Sequence, residues 1–192
     1  MSTSLSIVLI FGAGQNVGAG VVKAFSAKGY RIATVSRTAA ADAGDKRLHI
    51  QADLENPESV STVFETVRKQ LGHPSVVVYN GSLLELFVAI ASMLMQTGAA
   101  ASFVSKEDPL EISLKDAIRD MNINTFSALA AAKEAVKSFE ALPKDAARTF
   151  IFTGNITNSQ PIPALMSAGM GKSATAHMIQ TAASVYADRG YR

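Results

Sequence analysis

The run Ala13-Gly-Gln-Asn-Val-Gly-Ala-Gly20 carries glycines at positions 14, 18 and 20. Glycines so spaced let a backbone turn tightly and approach a pyrophosphate. A helix opening behind them offers unpaired N–H groups and the positive end of its dipole. The run follows the apolar stretch Ile7–Phe11 and precedes an amphipathic one. That placement marks a dinucleotide loop rather than a glycine-rich packing turn. Gly14, Gln15, Asn16, Val17, Gly18 and Gly20 are the expected contacts. Other constellations are poor. His49, His73 and His177 are dispersed, and no metal site is expected. There is no Gly-x-Ser-x-Gly elbow, and Gly171-Lys172-Ser173 lacks the glycine spacing of a phosphate loop.

Positioning such a loop requires a strand before it and a helix after it, and the chain repeats that alternation. Strands are predicted at Ile7–Phe11, Arg31–Val35, Arg47–Gln51, Ser75–Tyr79 and Arg148–Thr153. Helices are predicted at Val17–Lys28, Ser59–Leu71, Ser113–Phe139 and about Ala164 to Asp188. Continuous apolar strands alternating with helices indicate a parallel sheet covered on both faces. The fold class is therefore α/β, a Rossmann-like doubly wound parallel sheet, with strand order 3-2-1-4-5 expected. The pattern stops after the last helix, where a doubly wound fold adds a further strand, so C-terminal strands are expected to be missing. Residues 1–192 form a single expected domain. Residues 82–104 break the pattern and are expected to be an insertion: an added amphipathic helix, a substrate lid, or a retained intron.

Composition narrows the partners. The 192 residues are 48% hydrophobic and 18% charged, with a formal net charge of +2, and no Lys/Arg cluster offers a nucleic-acid surface. Cysteine is absent, which excludes disulfides and thiolate metal sites. No positive charge precedes Ile7–Phe11, so no signal peptide is read. Leu83–Met95 is too short to span a bilayer and contains Glu85. A cytoplasmic protein with a small-molecule substrate, and no membrane or nucleic-acid partner, is expected.

Gly14-xxx-Gly18-x-Gly20 resembles the nucleotide loop of the short-chain dehydrogenases/reductases, with Ala13 where that family usually has Thr. The resemblance runs from about residue 5 to residue 190. Ala52-Asp53-Leu54 is similar to the family's adenine-contacting segment, which implies that Asp53 and the backbone of Leu54 meet the adenine. Val78-Tyr-Asn-Gly81 resembles its Asn-Asn-Ala-Gly strand end, with Asn80 the best-matched residue and Gly81 beside it. An NAD site usually ends its second strand in Asp or Glu, for the ribose hydroxyls. Ser36-Arg37 stands there instead. Arg37 can pair with a 2′-phosphate through its planar fork, and Ser36 adds a hydroxyl. NADP(H) is the expected cofactor.

The resemblance implies a catalytic Asn, Ser, Tyr and Lys. Lys172 matches the lysine, which in the family also holds the nicotinamide ribose, and Asn124 matches the asparagine. One helical turn before Lys172 stands Ala168 instead of Tyr, and Asn155 occupies the serine position. Lys172, Asn124 and Asn155 are the candidate catalytic residues. Of the remaining hydroxyls, Tyr186 would lie about 21 Å farther along the helix. Tyr79, at the end of strand four, is the least remote tyrosine, and Ser167 and Thr153 are weaker acids. Lys172 could itself serve if desolvation lowered its pKa. The resemblance implies an NADP(H)-dependent oxidoreductase acting on a small carbonyl, imine or activated alkene with an altered proton relay, assembled as a homodimer or homotetramer. The alternatives are a non-catalytic NADP(H)-binding protein and a truncated gene product.

Overall fold

The computed structural model describes residues 6–14, 17–38, 47–81 and 102–192. Strand β1 (Ile7–Phe11) is buried at every position, as a strand covered on both faces must be. Its side chains alternate between two cores, as the period of a strand requires. Ile7, Leu9 and Phe11 join Val60, Phe64, Ala131 and Phe139. Val8 and Ile10 join Ile32, Val76 and Val78, with Val21, Val22 and Phe25 packed against them. The first face is therefore covered by helices α2 (Ser59–Gln70) and α4 (Ser127–Glu140), and the second by α1 (Val17–Ala27).

Around β1 the sheet runs β3-β2-β1-β4-β5, with β2 at Arg31–Ser36, β3 at Arg47–Gln51, β4 at Val76–Tyr79 and β5 at Thr149–Phe152. All four pairings are parallel. The expected α/β doubly wound fold and strand order are observed, with strand limits within a residue of expectation. Parallel strands place all their C-terminal ends along one edge, the usual ligand edge of such a sheet. On the outer side of β5, the Arg192 N–H donates to Arg148 O (2.9 Å) and its carbonyl accepts from Phe150 N–H (2.7 Å).

The helix expected over Ser113–Phe139 is divided. An α-helix, α3 (Leu114–Met121), passes into a π turn at Asn122–Phe126 before α4 begins. Ser113 caps α3, its side chain accepting from Asp116 N–H (3.0 Å) and donating to the Asp116 carboxylate (2.8 Å). The last helix, α5 (Met166–Tyr186), is flanked by short 3₁₀ turns at Pro163–Leu165 and Ala187–Arg189. Most of the expected insertion, residues 82–101, lies outside the described residues. No helix among the described residues is long and apolar enough to cross a membrane.

Candidate functional site

The glycine loop is shaped first by Gly12, which the sequence reading passed over. Its φ is +75°, a conformation that favours glycine. A Cβ there would collide with the Asn80 carbonyl, and the Gly12 and Ala13 N–H groups both donate to Val35 O, at 3.0 and 3.2 Å. Gly18 serves a different end. A Cβ on it would lie 2.5 Å from Ala13 Cα and 2.8 Å from Gly12 O. Only glycine lets the first turn of α1 sit this close behind the loop. Gly20 has nothing within 4 Å of a Cβ, so close approach does not explain it. Gly14 precedes α1 and its carbonyl accepts from Ala19 N–H (2.9 Å). Val17 is the first residue of α1, while Gln15 and Asn16 lie outside the described residues.

Asn80 ties three strand ends together. Its Nδ2 donates to Gly12 O (2.9 Å), and its Oδ1 accepts from Thr153 Oγ1 (2.8 Å). Lys172, on α5, enters the same junction. Its Nζ donates to Gly81 O (2.6 Å) and Thr153 O (3.2 Å), and lies 4.9 Å from the centre of the Phe152 ring. Its side chain is fully buried. Burial disfavours the charged form and lowers its pKa to about 8. Asn80, Gly81 and Lys172 are thus brought together, with Thr153 as the link.

Asn124 stands behind this junction, inside the π turn, at a type of irregularity frequent at functional sites. Its Nδ2 donates to Asp120 O (2.9 Å), and its carbonyl accepts from Thr175 Oγ1 (2.6 Å). The two helices touch closely because residue 171 is glycine. A Cβ there would lie 2.7 Å from Asn124 Cβ. Asp120 is a further residue that the sequence reading missed. It is fully buried, and its carboxylate accepts from Ser102 N–H (2.6 Å), Ser167 Oγ (2.5 Å) and the Arg119 guanidinium (3.1 Å). A lone Asp in a helical stretch gives no sequence signal of such a network.

The remaining hydroxyls divide by environment. Tyr79, the tyrosine nearest to the site on sequence grounds, is not a proton donor to it. The ring is fully buried, tilted against Phe11 with centroids 5.6 Å apart, and its hydroxyl donates to Ile123 O (2.6 Å). Burial raises its pKa far above the ordinary phenol value. Ser167 gives its proton to Asp120, and Thr153 gives its own to Asn80. Ala168 is fully buried on α5. The Asn155 side-chain oxygen accepts from Thr157 N–H (3.0 Å) and Thr157 Oγ1 (2.6 Å), capping the turn Ile156–Asn158.

At the other end of the sheet edge, Ser36 closes β2 and Arg37 follows it, exposed. Asp53 is exposed too, and its Oδ1 accepts from Glu55 N–H (3.0 Å) in a turn before α2. The Leu54 carbonyl accepts from Ser127 Oγ (2.7 Å), while its side chain packs on the core. No group of three or more His, Asp or Glu able to hold a metal occurs among the described residues.

Glycine loop, parallel sheet and buried lysine at one edge define a nucleotide-binding Rossmann-type protein. The family model described as short chain dehydrogenase matches residues 6–192. A short chain dehydrogenase/reductase, dmxR12, from Cryptosporiopsis sp. (strain 8999) is 48% identical over 189 residues, covering 98% of this chain and 74% of that one. The chain belongs to the short-chain dehydrogenase family. Among solved structures, a short-chain dehydrogenase/reductase from Serratia marcescens BCRC 10948 is 20% identical, with a TM-score of 0.73 over 97% of this chain and 74% of that one. An NADH-dependent reductase, A1-R′, complexed with NAD, is 17% identical, with a TM-score of 0.79 over 98% and 76%. At these identities the structures speak for the fold.

Proposed function

We propose that the chain is an NADP(H)-dependent oxidoreductase for a small carbonyl, imine or activated alkene, in which Lys172 Nζ takes over proton delivery from the missing phenol. The observation that carries this reading is the buried ammonium group itself. It is held by two backbone carbonyls one turn from Ala168, with a pKa lowered to about 8. A group poised near neutral pH is the type that general acid catalysis favours.

The residues present fit the cofactor. The glycine-shaped approach of α1 to the loop leaves backbone in the space that a side chain would fill, suited to a pyrophosphate held by N–H groups. Gly14, Gln15, Asn16, Val17, Gly18 and Gly20 would hold the pyrophosphate, Asp53 and Leu54 the adenine, Asn80 and Gly81 the adjoining ribose, and Lys172 the nicotinamide ribose. Ser36-Arg37 favours a 2′-phosphate where an acidic residue would repel it. The bound cofactor supplies a hydride. Lys172 Nζ gives the proton to the substrate oxygen or nitrogen and regains one from solvent. Asn155 orients the substrate through its amide, and Asn124 holds the π turn against α5.

A non-catalytic NADP(H)-binding protein is the second reading. It is favoured by the Asn155 side-chain oxygen being committed to Thr157. NADPH consumption against a panel of ketones and imines separates the two, with Ala168→Tyr and Ala168→Tyr/Asn155→Ser alongside the parent. A positioned general acid contributes about 10²–10⁴-fold. The oxidoreductase reading expects slow turnover by the parent, a gain with Ala168→Tyr and a larger gain in the double variant. No turnover by any of them, while NADPH still binds, supports the non-catalytic reading.

A further inference from the structure

Three consecutive carbonyls at the end of β2 are tied back to β3. Ser36 O accepts from Ala52 N–H (3.0 Å), Arg37 O from Gln51 Nε2 (2.7 Å), and Thr38 O from His49 Nε2 (2.9 Å). The parallel register sets His49 opposite Thr34, whose Oγ1 lies 3.0 Å from Nδ1. A carbonyl can only accept, so the His49 proton facing Thr38 is on Nε2. The same nitrogen lies 3.4 Å from Ser36 Oγ.

Thr38 O has a second donor, the Ser36 hydroxyl, at 2.8 Å. That hydroxyl owns one proton. To donate to an anion it must leave Thr38 O, and the His49 N–H then keeps the carbonyl paired and the turn in shape. We propose that His49 is a positioning residue for the 2′-phosphate, holding the Ser36–Thr38 turn so that the Ser36 hydroxyl can be transferred to the phosphate beside Arg37. This rests on the reading of NADP(H) as cofactor.

The test is calorimetric binding of 2′,5′-ADP and 5′-AMP to the parent, His49→Leu and His49→Gln. The parent should bind 2′,5′-ADP more tightly. His49→Leu should weaken 2′,5′-ADP about tenfold, the effect of about 1.4 kcal/mol, and leave 5′-AMP unchanged. His49→Gln, whose amide N–H can still reach a carbonyl, should restore most of the loss. A parent without preference overturns the NADP(H) reading, and this inference with it. A preference that His49→Leu retains overturns the role of His49 alone. Equal weakening of both ligands overturns it as well, since it marks a merely structural residue. Should His49→Leu not fold, ¹⁵N resonances of the parent's histidines decide. His49 Nε2 should shift with 2′,5′-ADP and not with 5′-AMP, and an unmoved resonance overturns the proposal.

Discussion

Lys172 is a cation whose pKa is governed by lost hydration: desolvation is the cause of its fall from 10.5 to about 8. If Nζ is the acid, reduction should run level below about pH 8 and decline above it as the proton leaves. Lys172→Arg, charged throughout that range, should lose the declining limb and most of the rate. A parent profile that stays level from about pH 7 to about 9 removes Lys172 from the role. The same shift has a sign for stability. Between about 8 and 10.5 the unfolded chain holds the extra proton, so the contribution of Lys172 to stability rises with pH across that window. At this scale the sequence spoke through the family resemblance, which singled out Lys172 in Gly169-Met-Gly-Lys172 and Asn80 in Val78-Tyr-Asn-Gly81. The structure sets the two at one junction with Thr153 between them. Tyr79 misled on position alone. Phe11 pairs with Tyr79 and Leu9 with Val77, so parity placed Tyr79 in the α2–α4 core beside Phe64. On the proposed NADP(H) reading, Arg37→Ala should cost NADPH binding on the order of 1.5–3 kcal/mol and leave NADH unchanged. Equal NADPH and NADH affinity in the parent, measured by fluorescence titration, would remove that argument.

The elements do the positioning through a few close approaches. The π turn Asn122–Phe126 turns Asn124 toward α5, and Thr125 Oγ1 donates to Gly171 O (3.0 Å). Nothing in Asn122-Ile-Asn-Thr-Phe126 separates this turn from ordinary helix. Its partners are distant in sequence: the Tyr79 hydroxyl donates to Ile123 O (2.6 Å). β1 and β4, buried at every position, were legible for the opposite reason: a strand covered on both faces writes its burial into a continuous apolar run. Gly171 offers the sharpest test at this scale. Adding one methyl would press on Asn124 Cβ at 2.7 Å and on Thr125 Oγ1 at 3.3 Å, and overpacking of this type costs about 1–3 kcal/mol. Gly171→Ala should therefore lower the Tm by several degrees, since about 1 kcal/mol shifts a domain of this size by roughly 2–4 °C. Gly20→Ala, with open space at its Cβ inside α1, should not lower the Tm and should raise it by roughly 2–4 °C, since alanine is favoured over glycine within a helix by about 1 kcal/mol. Equal Tm losses for both would show that helix contact is not what Gly171 protects.

At the scale of the whole molecule, the α3–α4 arm has one face that the described chain does not cover. Leu114, Ile118, Phe126 and Leu129 recur near helical spacing, with 81% and 59% exposure at the first two. Opposite them, Ala128, Ala131 and Ala135 pack into the core. Apolar groups exposed in a contiguous row are uncommon on a monomer and mark a contact surface. If the homodimer or homotetramer that the family resemblance implies is formed, a second copy of this chain is the occupant to test. A two-fold axis would set the same face against itself, so one substitution acts twice in each interface. Placing a carboxylate in this face should split the assembly, since a buried unpaired charge costs several kcal/mol. Ile118→Glu and Phe126→Glu are the variants. Sedimentation at about 10 μM should give a dimer or tetramer for the parent and a monomer for both variants, with unchanged far-ultraviolet circular dichroism. Leu110, exposed at 78% on the preceding 3₁₀ turn, serves as the control, and Leu110→Glu should leave the mass unchanged. A monomeric parent would sink the idea, and so would variants that keep the parent's mass. If Leu110→Glu dissociates the assembly while Ile118→Glu does not, the contact lies on that turn instead of the α3–α4 face.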